Sequence, residues 1–190
     1  MRQAWRAKEE RAFEPGNVRV GWHDDALLVF AELNDAEILT KANALNQRLW
    51  ELGDSFEIFL RPVEQSAYLE FQVAPNNHQL QLRYPNPVAV EEARKADDFK
   101  PYLILGDGFY SATWVRPAES KWFTFAKIPK DLVCEKAGSL ESKEWLFSFS
   151  RYDYTSNRRK PVVSSTSPHS KFEFHCQEEW GRMRFTSNSL

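Results

Sequence analysis

The sequence predicts an all-β protein, a two-layer antiparallel β-sandwich of the jelly-roll or immunoglobulin-like kind with short helical excursions. Apolar and polar residues alternate with a period of two in many short segments, as they do in strands that bury one face. Turn-forming residues separate these segments, and none keeps a helical period for long. The chain has 190 residues, which favours a single domain over residues 1–190 with its core at about 18–185.

The first predicted element is a hairpin near the amino terminus. Its strands cover residues 18–22 and 27–33. The turn between them contains Asp24 and Asp25, whose side chains can bond nearby backbone amides. A loop or short helix is then expected over residues 35–52.

Three further strands are predicted at residues 55–61, 68–73 and 79–84. Since Phe56 would face the core, alternation turns Glu57 to the opposite face. Polar residues of the next two strands are expected to join Glu57 there: Tyr68, Glu70, Gln72, Gln79, Gln81 and Arg83. Carboxylate, amide and guanidinium groups can bond several hydroxyl groups of a ligand at fixed geometry, so this face is interpreted as a binding face. The alternative interpretation is the solvated side of a half-exposed sheet.

The rest of the chain continues the strand pattern after one helical excursion. Residues 88–96 are compatible with an exposed helix. A short helical turn is expected at residues 129–134, where proline suits the first turn. Further strands are predicted at residues 109–115, 122–128, 145–151, 172–174 and 183–185, the last closing a sheet.

The chain is rich in aromatic residues, including seven tryptophans. Four of them lie within predicted strands and are expected in the core: Trp22, Trp114, Trp122 and Trp145. Trp50 lies outside a strand, so its position leaves a core role and an exposed site equally open.

Several spaced segments together resemble the family 9 carbohydrate-binding modules, a β-sandwich family related to the DOMON-like folds. They occur in the family's order at residues 21–27, 50–61, 68–73, 122–129, 145–151 and 174–185. The resemblance covers most of the chain, from about residue 18 to residue 185. It implies a site where a sugar lies against a tryptophan while polar side chains hold its hydroxyls.

The resemblance also implies which residues would bind. Trp50 falls at the position of a sugar-stacking tryptophan, and Glu57 falls at a hydroxyl-binding carboxylate. Gln72 falls at the position of a polar contact, and Arg151 falls at the position of a recurring arginine. Arg83 is added to the predicted binding residues by the alternation of its strand and not by the resemblance. Near residues 162–168 serines stand where clamping members carry a second tryptophan, so a clamp of two rings is not expected.

We therefore expect a non-catalytic carbohydrate-binding domain, whose partner is a sugar or glycan and which works alone or beside a glycan-acting enzyme. The alternative is a structural or protein-interaction sandwich that has lost sugar binding. With 25 basic and 27 acidic residues, the chain lacks the basic footprint of nucleic-acid binding. Its apolar runs fall far short of the roughly 20 residues that cross a membrane. The amino terminus lacks an export signal, which suggests the cytoplasm, whereas the resemblance suggests a location outside it.

Neither catalysis nor a cofactor is expected. Asp54 and Glu57 are three residues apart, a spacing that turns them to opposite faces of a strand and not toward one glycosidic bond. The four histidines lack metal-type spacing. A structural calcium ion at Asp24 and Asp25 is a lesser candidate. Cys134 and Cys176 are expected as free thiols, although a disulfide is the alternative.

Overall fold

The computed structural model describes residues 1–23, 26–106, 108–133 and 144–186. These residues form ten strands. Their bounds are β1 Gly16–His23, β2 Ala26–Asn34, β3 Ser55–Pro62, β4 Tyr68–Val73, β5 Gln79–Tyr84, β6 Tyr110–Arg116, β7 Lys121–Pro129, β8 Glu144–Asp153, β9 Val162–Ser165 and β10 Gly181–Arg184. The helices are α1 Leu49–Leu52, α2 Pro87–Ala96 and α3 Lys130–Val133.

The strands form two antiparallel sheets, which confirms the predicted sandwich. The first sheet has the order β1-β2-β7-β6. The second has the order β10-β8-β3-β4-β5, and β9 pairs with β8 beside this path. No helix among the described residues combines the length and apolar character needed to span a membrane.

The main core lies between the two sheets and follows from the alternation along each strand. Members of one cluster include Val29 on β2, Ile58 on β3 and Phe71 on β4. Trp122 and Trp145 are fully buried in it, as predicted, and Trp22 packs against it while partly buried. The core prediction for Trp114 is wrong, because this residue on the edge strand β6 is 49% exposed.

The outer face of the second sheet is covered, so β3 and β4 are buried on both faces. Every residue of β4 is buried, and on β3 only Arg61 is partly exposed. A second apolar cluster covers this face, with Phe59 and Tyr68 from the sheet and Phe174 and Trp180 from the chain that follows β9. The alternative interpretation, a solvated sheet face, is therefore wrong for these two strands.

Helix α2 forms part of that cover. The side chain of Asn86 accepts hydrogen bonds from the backbone amides of Val88 and Ala89 and caps its start. The helix ends at Asp97, whose φ of 51° is left-handed. Val90 is buried with two alanines of the same helix. The helix was expected to be exposed, but this face packs on the sheet.

The carboxyl-terminal region differs most from the prediction. Residues 172–174 do not form a strand; they lie in a bent segment that leads into a short 3₁₀ helix at Gln177–Glu179. Strand β9, at Val162–Ser165, lies in a polar part of the chain where no strand was predicted. Three earlier expectations, on Asp24, Asp25 and Cys134, fall on residues outside the described ranges.

Candidate functional site

A cavity of about 420 Å³ opens between the second sheet and the segments that cover it. Its floor comes from β3, β4 and β5, and its walls come from α1, α2 and the segment after β9. The lining residues are Arg48, Trp50, Glu51, Glu57, Glu70, Tyr84, Arg94, Asp97, Phe99, Tyr152, Phe172, Glu173, Phe174 and His175. Two of the residues predicted from the sequence, Trp50 and Glu57, thus line one cavity.

Two buried carboxyl groups share one amide on the cavity floor. Glu57 on β3 lies opposite Gln72 on β4, and Glu70 lies two residues before Gln72 on the same face. The side-chain nitrogen of Gln72 donates to Oε1 of Glu57 at 2.7 Å and to Oε1 of Glu70 at 2.5 Å. Gln72 is therefore a residue beneath the cavity that fixes the two carboxyl groups lining it.

Burial keeps these two carboxyl groups partly protonated. Burial raises the pKa of Glu57 well above its ordinary value, and the neighbouring charge of Glu70 adds to the rise. Burial likewise raises the pKa of Glu70 to about 7. A buried carboxylate without a paired cation is costly, so the pair retains protons up to neutral pH.

The arginines at the rim are already paired. Nη1 of Arg48 lies 2.5 Å from Oδ1 of Asp97 and 3.5 Å from Oε1 of Glu51. Nη1 of Arg94 lies 2.8 Å from Glu91 and 3.0 Å from Glu173. Neither guanidinium forms an ion pair with the floor carboxyl groups among the described residues, although the charge of Arg94 partly opposes the rise in the pKa values of Glu57 and Glu70.

Histidine and tyrosine side chains complete the floor. The hydroxyl of Tyr68 lies 2.8 Å from Nδ1 of His175. Nε2 of His175 lies 3.7 Å from Oε2 of Glu70, and burial lowers the pKa of His175 to about 3, so this ring is neutral. The hydroxyl of Tyr84 is buried near Glu70 and slightly opposes the rise in the pKa of Glu70. No described residue forms a well-directed hydrogen bond with this hydroxyl.

Aromatic rings form two parts of the wall. Trp50 on α1 is half-buried, and its ring contacts Phe99 edge-on with centroids 5.2 Å apart. Phe172 is 51% exposed and packs against Trp5 and Phe174, with centroid distances of 5.9 and 5.1 Å. Phe172 was not predicted as a site residue, because residues 172–174 were expected to form a strand.

Arg83 does not share the face of Glu57, so that expectation is wrong. The register pairs Gln72 with Leu80 and Leu69 with Arg83. The floor therefore continues across β5 through Leu80, Leu82 and Tyr84, and Arg83 points to the opposite side of the sheet. There its guanidinium donates to the carbonyl of Leu132.

Arg151 also lies away from the cavity, which corrects its assignment to the ligand site. It pairs in register with Phe56, so its side chain faces the interior between the sheets. Its guanidinium is almost fully buried and lies 2.9 Å from Asp35 and 3.2 Å from Asp153. It also donates to the carbonyl of Asn34 at 2.5 Å. These contacts assign Arg151 a structural role.

Three aspartates near Arg151 are the described residues best placed to hold a cation. Carboxylate oxygens of Asp35, Asp54 and Asp153 lie within 4.8 Å of one another. Oxygen ligands suit calcium, but the guanidinium of Arg151 already supplies a positive charge. Burial raises the pKa of Asp54 to about 8 and that of Asp153 to about 7. Asp54 thus belongs to this interior cluster and does not converge with Glu57.

A family model described as "carbohydrate family 9 binding domain-like" matches residues 1–187. A curated relative from Arthroderma benhamiae, named "extracellular protein", is 22% identical over 189 residues, which cover 93% of this chain and 81% of that protein.

Two solved structures from Caldicellulosiruptor kristjanssonii share the fold. Both are family 9 carbohydrate-binding modules, one in complex with glucose and one in complex with cellotriose. The glucose complex has a TM-score of 0.64 at 18% identity and covers 97% of this chain and 82% of the other. The cellotriose complex has a TM-score of 0.61 at 20% identity, with 96% and 80% covered.

Proposed function

The chain belongs to the carbohydrate family 9 binding domain-like family, and from this premise we propose that it is a non-catalytic domain that binds a sugar in the cavity over β3, β4 and β5. The observation that carries the proposal is that the ring of Trp50 and the carboxyl group of Glu57 line the same cavity. Its volume of about 420 Å³ lies within the range of small-ligand pockets, roughly 300–1,000 Å³.

The cavity supplies the two kinds of contact that a sugar needs. The aromatic wall at Trp50 offers a flat apolar surface for the C–H face of a pyranose ring. The floor offers carboxyl groups of Glu57 and Glu70, which can accept hydrogen bonds from hydroxyl groups. Because Gln72 fixes both carboxyl groups, a bound sugar would meet acceptors that are already ordered, and this lowers the cost of binding.

Phe172 extends the aromatic wall in the proposal. It lines the cavity, is half exposed and is held from behind by Trp5 and Phe174. In this chain a second ring at the site thus comes from the segment after β9. A sugar that enters the cavity would contact Phe172 as well as Trp50.

The geometry of the floor favours binding over hydrolysis in this proposal. A glycosidase holds two carboxyl groups that flank the scissile bond. Glu57 and Glu70 accept hydrogen bonds from one amide nitrogen and approach a ligand from the same side of the cavity.

Titration calorimetry with glucose and cellotriose tests the proposal. These sugars are the ligands named for the two Caldicellulosiruptor kristjanssonii structures. We expect saturable binding of one or both at micromolar to millimolar concentration, with one site per chain. Absence of heat for both sugars and for a wider glycan array at millimolar concentration would contradict the proposed function.

A further inference from the structure

We propose that the cavity prefers sugars that carry a protonated amine, such as glucosamine, over neutral and acidic sugars. This inference rests on the proposed function, because it names the sugar class for the same cavity. Its basis is the balance of charge and of hydrogen-bond donors around the two floor carboxyl groups.

Acidic groups outnumber basic groups among the lining residues. Five carboxyl groups line the cavity, on Glu51, Glu57, Glu70, Asp97 and Glu173. Two arginines line it, Arg48 and Arg94, and both form ion pairs with rim carboxylates. The rim then holds three carboxylates against two arginines, and neither floor carboxyl group forms an ion pair with an arginine or lysine among the described residues.

The floor carboxyl groups also have acceptor capacity to spare. Each carboxylate can accept several hydrogen bonds, whereas Gln72 supplies one nitrogen to both. His175 lies beyond hydrogen-bonding distance of Glu70 at 3.7 Å. Among the described residues, the ordered donors are Gln72 and the Tyr84 hydroxyl near Glu70, and they meet only part of what the two floor groups can accept.

A protonated amine matches this environment better than a hydroxyl group does. An ammonium group carries three donors, no acceptor and a positive charge. Its charge would favour the ionised form of the two floor carboxyl groups, and it would form charge-assisted hydrogen bonds with them, which are about twice as strong as neutral ones. A hydroxyl group brings a single donor and no charge, and the carboxylate of an acidic sugar would add a negative charge to an acidic floor.

Calorimetry near neutral pH with four sugars tests the inference: glucose, glucosamine, N-acetylglucosamine and glucuronic acid. N-acetylglucosamine carries a nitrogen at the same position without a charge, so it distinguishes an effect of the positive charge from an effect of the nitrogen substituent itself. We expect glucosamine to bind at least about tenfold more tightly than glucose and N-acetylglucosamine, and glucuronic acid to bind most weakly. Raising the salt concentration should weaken the binding of glucosamine and leave that of glucose nearly unchanged.

The isosteric substitution Glu70→Gln should weaken the binding of glucosamine much more than that of glucose, so that most of the preference for glucosamine is lost. Glu64→Gln is the matched control, because Glu64 is exposed in the turn between β3 and β4, away from the cavity. Thermal unfolding of each variant reports whether it folds. If Glu70→Gln does not fold, the order of the four sugars and the salt dependence in the unmodified chain decide the matter.

The outcomes separate the two proposals. If glucose or cellotriose binds and glucosamine binds no more tightly than glucose, the amine preference is wrong and the sugar site remains. The inference is equally wrong if Glu70→Gln folds and keeps the full preference. If no sugar of any class binds, the proposed function itself fails.

Discussion

Glu57 and Glu70 accept hydrogen bonds from the same side-chain nitrogen of Gln72, at 2.7 and 2.5 Å, on a sheet face that the rest of the chain covers. This arrangement makes two acidic groups part of a buried floor, where burial raises the pKa of both and the charge of Glu70 further raises the pKa of Glu57. Residues that serve the cavity can be separated by experiment from residues that serve the fold.

Replacing Trp50 with alanine should weaken sugar binding by about 1–3 kcal/mol, the magnitude that alanine substitution gives for other stacking surfaces. The indole lines the cavity and is braced by Phe99. Trp114→Ala is the matched control, since Trp114 is 49% exposed on the other sheet. Calorimetry with the tightest-binding sugar measures both variants, and equal affinities would show that Trp50 does not contact the ligand.

Replacing Gln72 with leucine should lower the free energy of unfolding by about 1–3 kcal/mol, because two buried carboxyl groups lose their shared donor. Sugar affinity should fall as well, since the carboxyl groups are no longer held in place. Urea denaturation and calorimetry measure the two effects. Gln65→Leu, in the turn between β3 and β4, is the control. Unchanged stability of the Gln72 variant would argue against the shared amide.

The stability of the chain should depend on pH through Glu70. Its pKa is about 7 in the folded chain and near 4.5 when unfolded, so the folded state binds more protons between these values. The stabilising effect is fully present below the unfolded pKa and is lost as pH rises through the folded pKa. The slope from one group is at most about 1.4 kcal/mol per pH unit.

Urea denaturation across this pH range, with and without Glu70→Gln, measures the effect. The variant should show a shallower fall in stability toward neutral pH, while Glu64→Gln should follow the unmodified chain. Glu57, Asp54 and Asp153 also have raised pKa values and add to the slope in both proteins. Parallel curves for the unmodified chain and Glu70→Gln would contradict the assignment.

Replacing Arg151 with lysine should lower the free energy of unfolding by about 1–3 kcal/mol and leave sugar affinity unchanged. Lysine keeps the positive charge but lacks the planar guanidinium group. In Arg151 that group contacts Asp35, Asp153 and the carbonyl of Asn34. Urea denaturation and calorimetry on one sample test both parts. Normal stability together with lost binding would restore Arg151 to the ligand site.

The sequence predicted the sandwich and three residues of the candidate site for identifiable reasons. Alternation within β3 correctly placed Glu57 and Phe56 on opposite faces of the sheet. Alternation within β4 placed Gln72 on the same face as Glu57, and the two residues are paired in the register. The family resemblance pointed to Trp50, which lies on a four-residue helix without a periodic signal.

The errors have a common physical origin. Alternation tells which residues of one strand share a face, but the register between strands depends on the turn, and a shift of one residue exchanges the faces. The turn between β4 and β5, with Asn77 at a φ of 67°, places Leu80 beside Gln72 and sends Arg83 to the other side. Phe172 was wrongly expected in a strand, because two phenylalanines separated by one residue look like strand alternation, whereas contacts with the sheet position the segment that carries Phe172 and His175.

The ion pair between Arg94 and Glu173 joins two separate excursions of the chain that cover the sheet, namely helix α2 and the segment after β9. Since these excursions shape the opening while the strands carry the acidic floor, the entrance can be remodelled without rebuilding the scaffold. Directed evolution confined to the two excursions would therefore be a practical route to altered ligand selectivity.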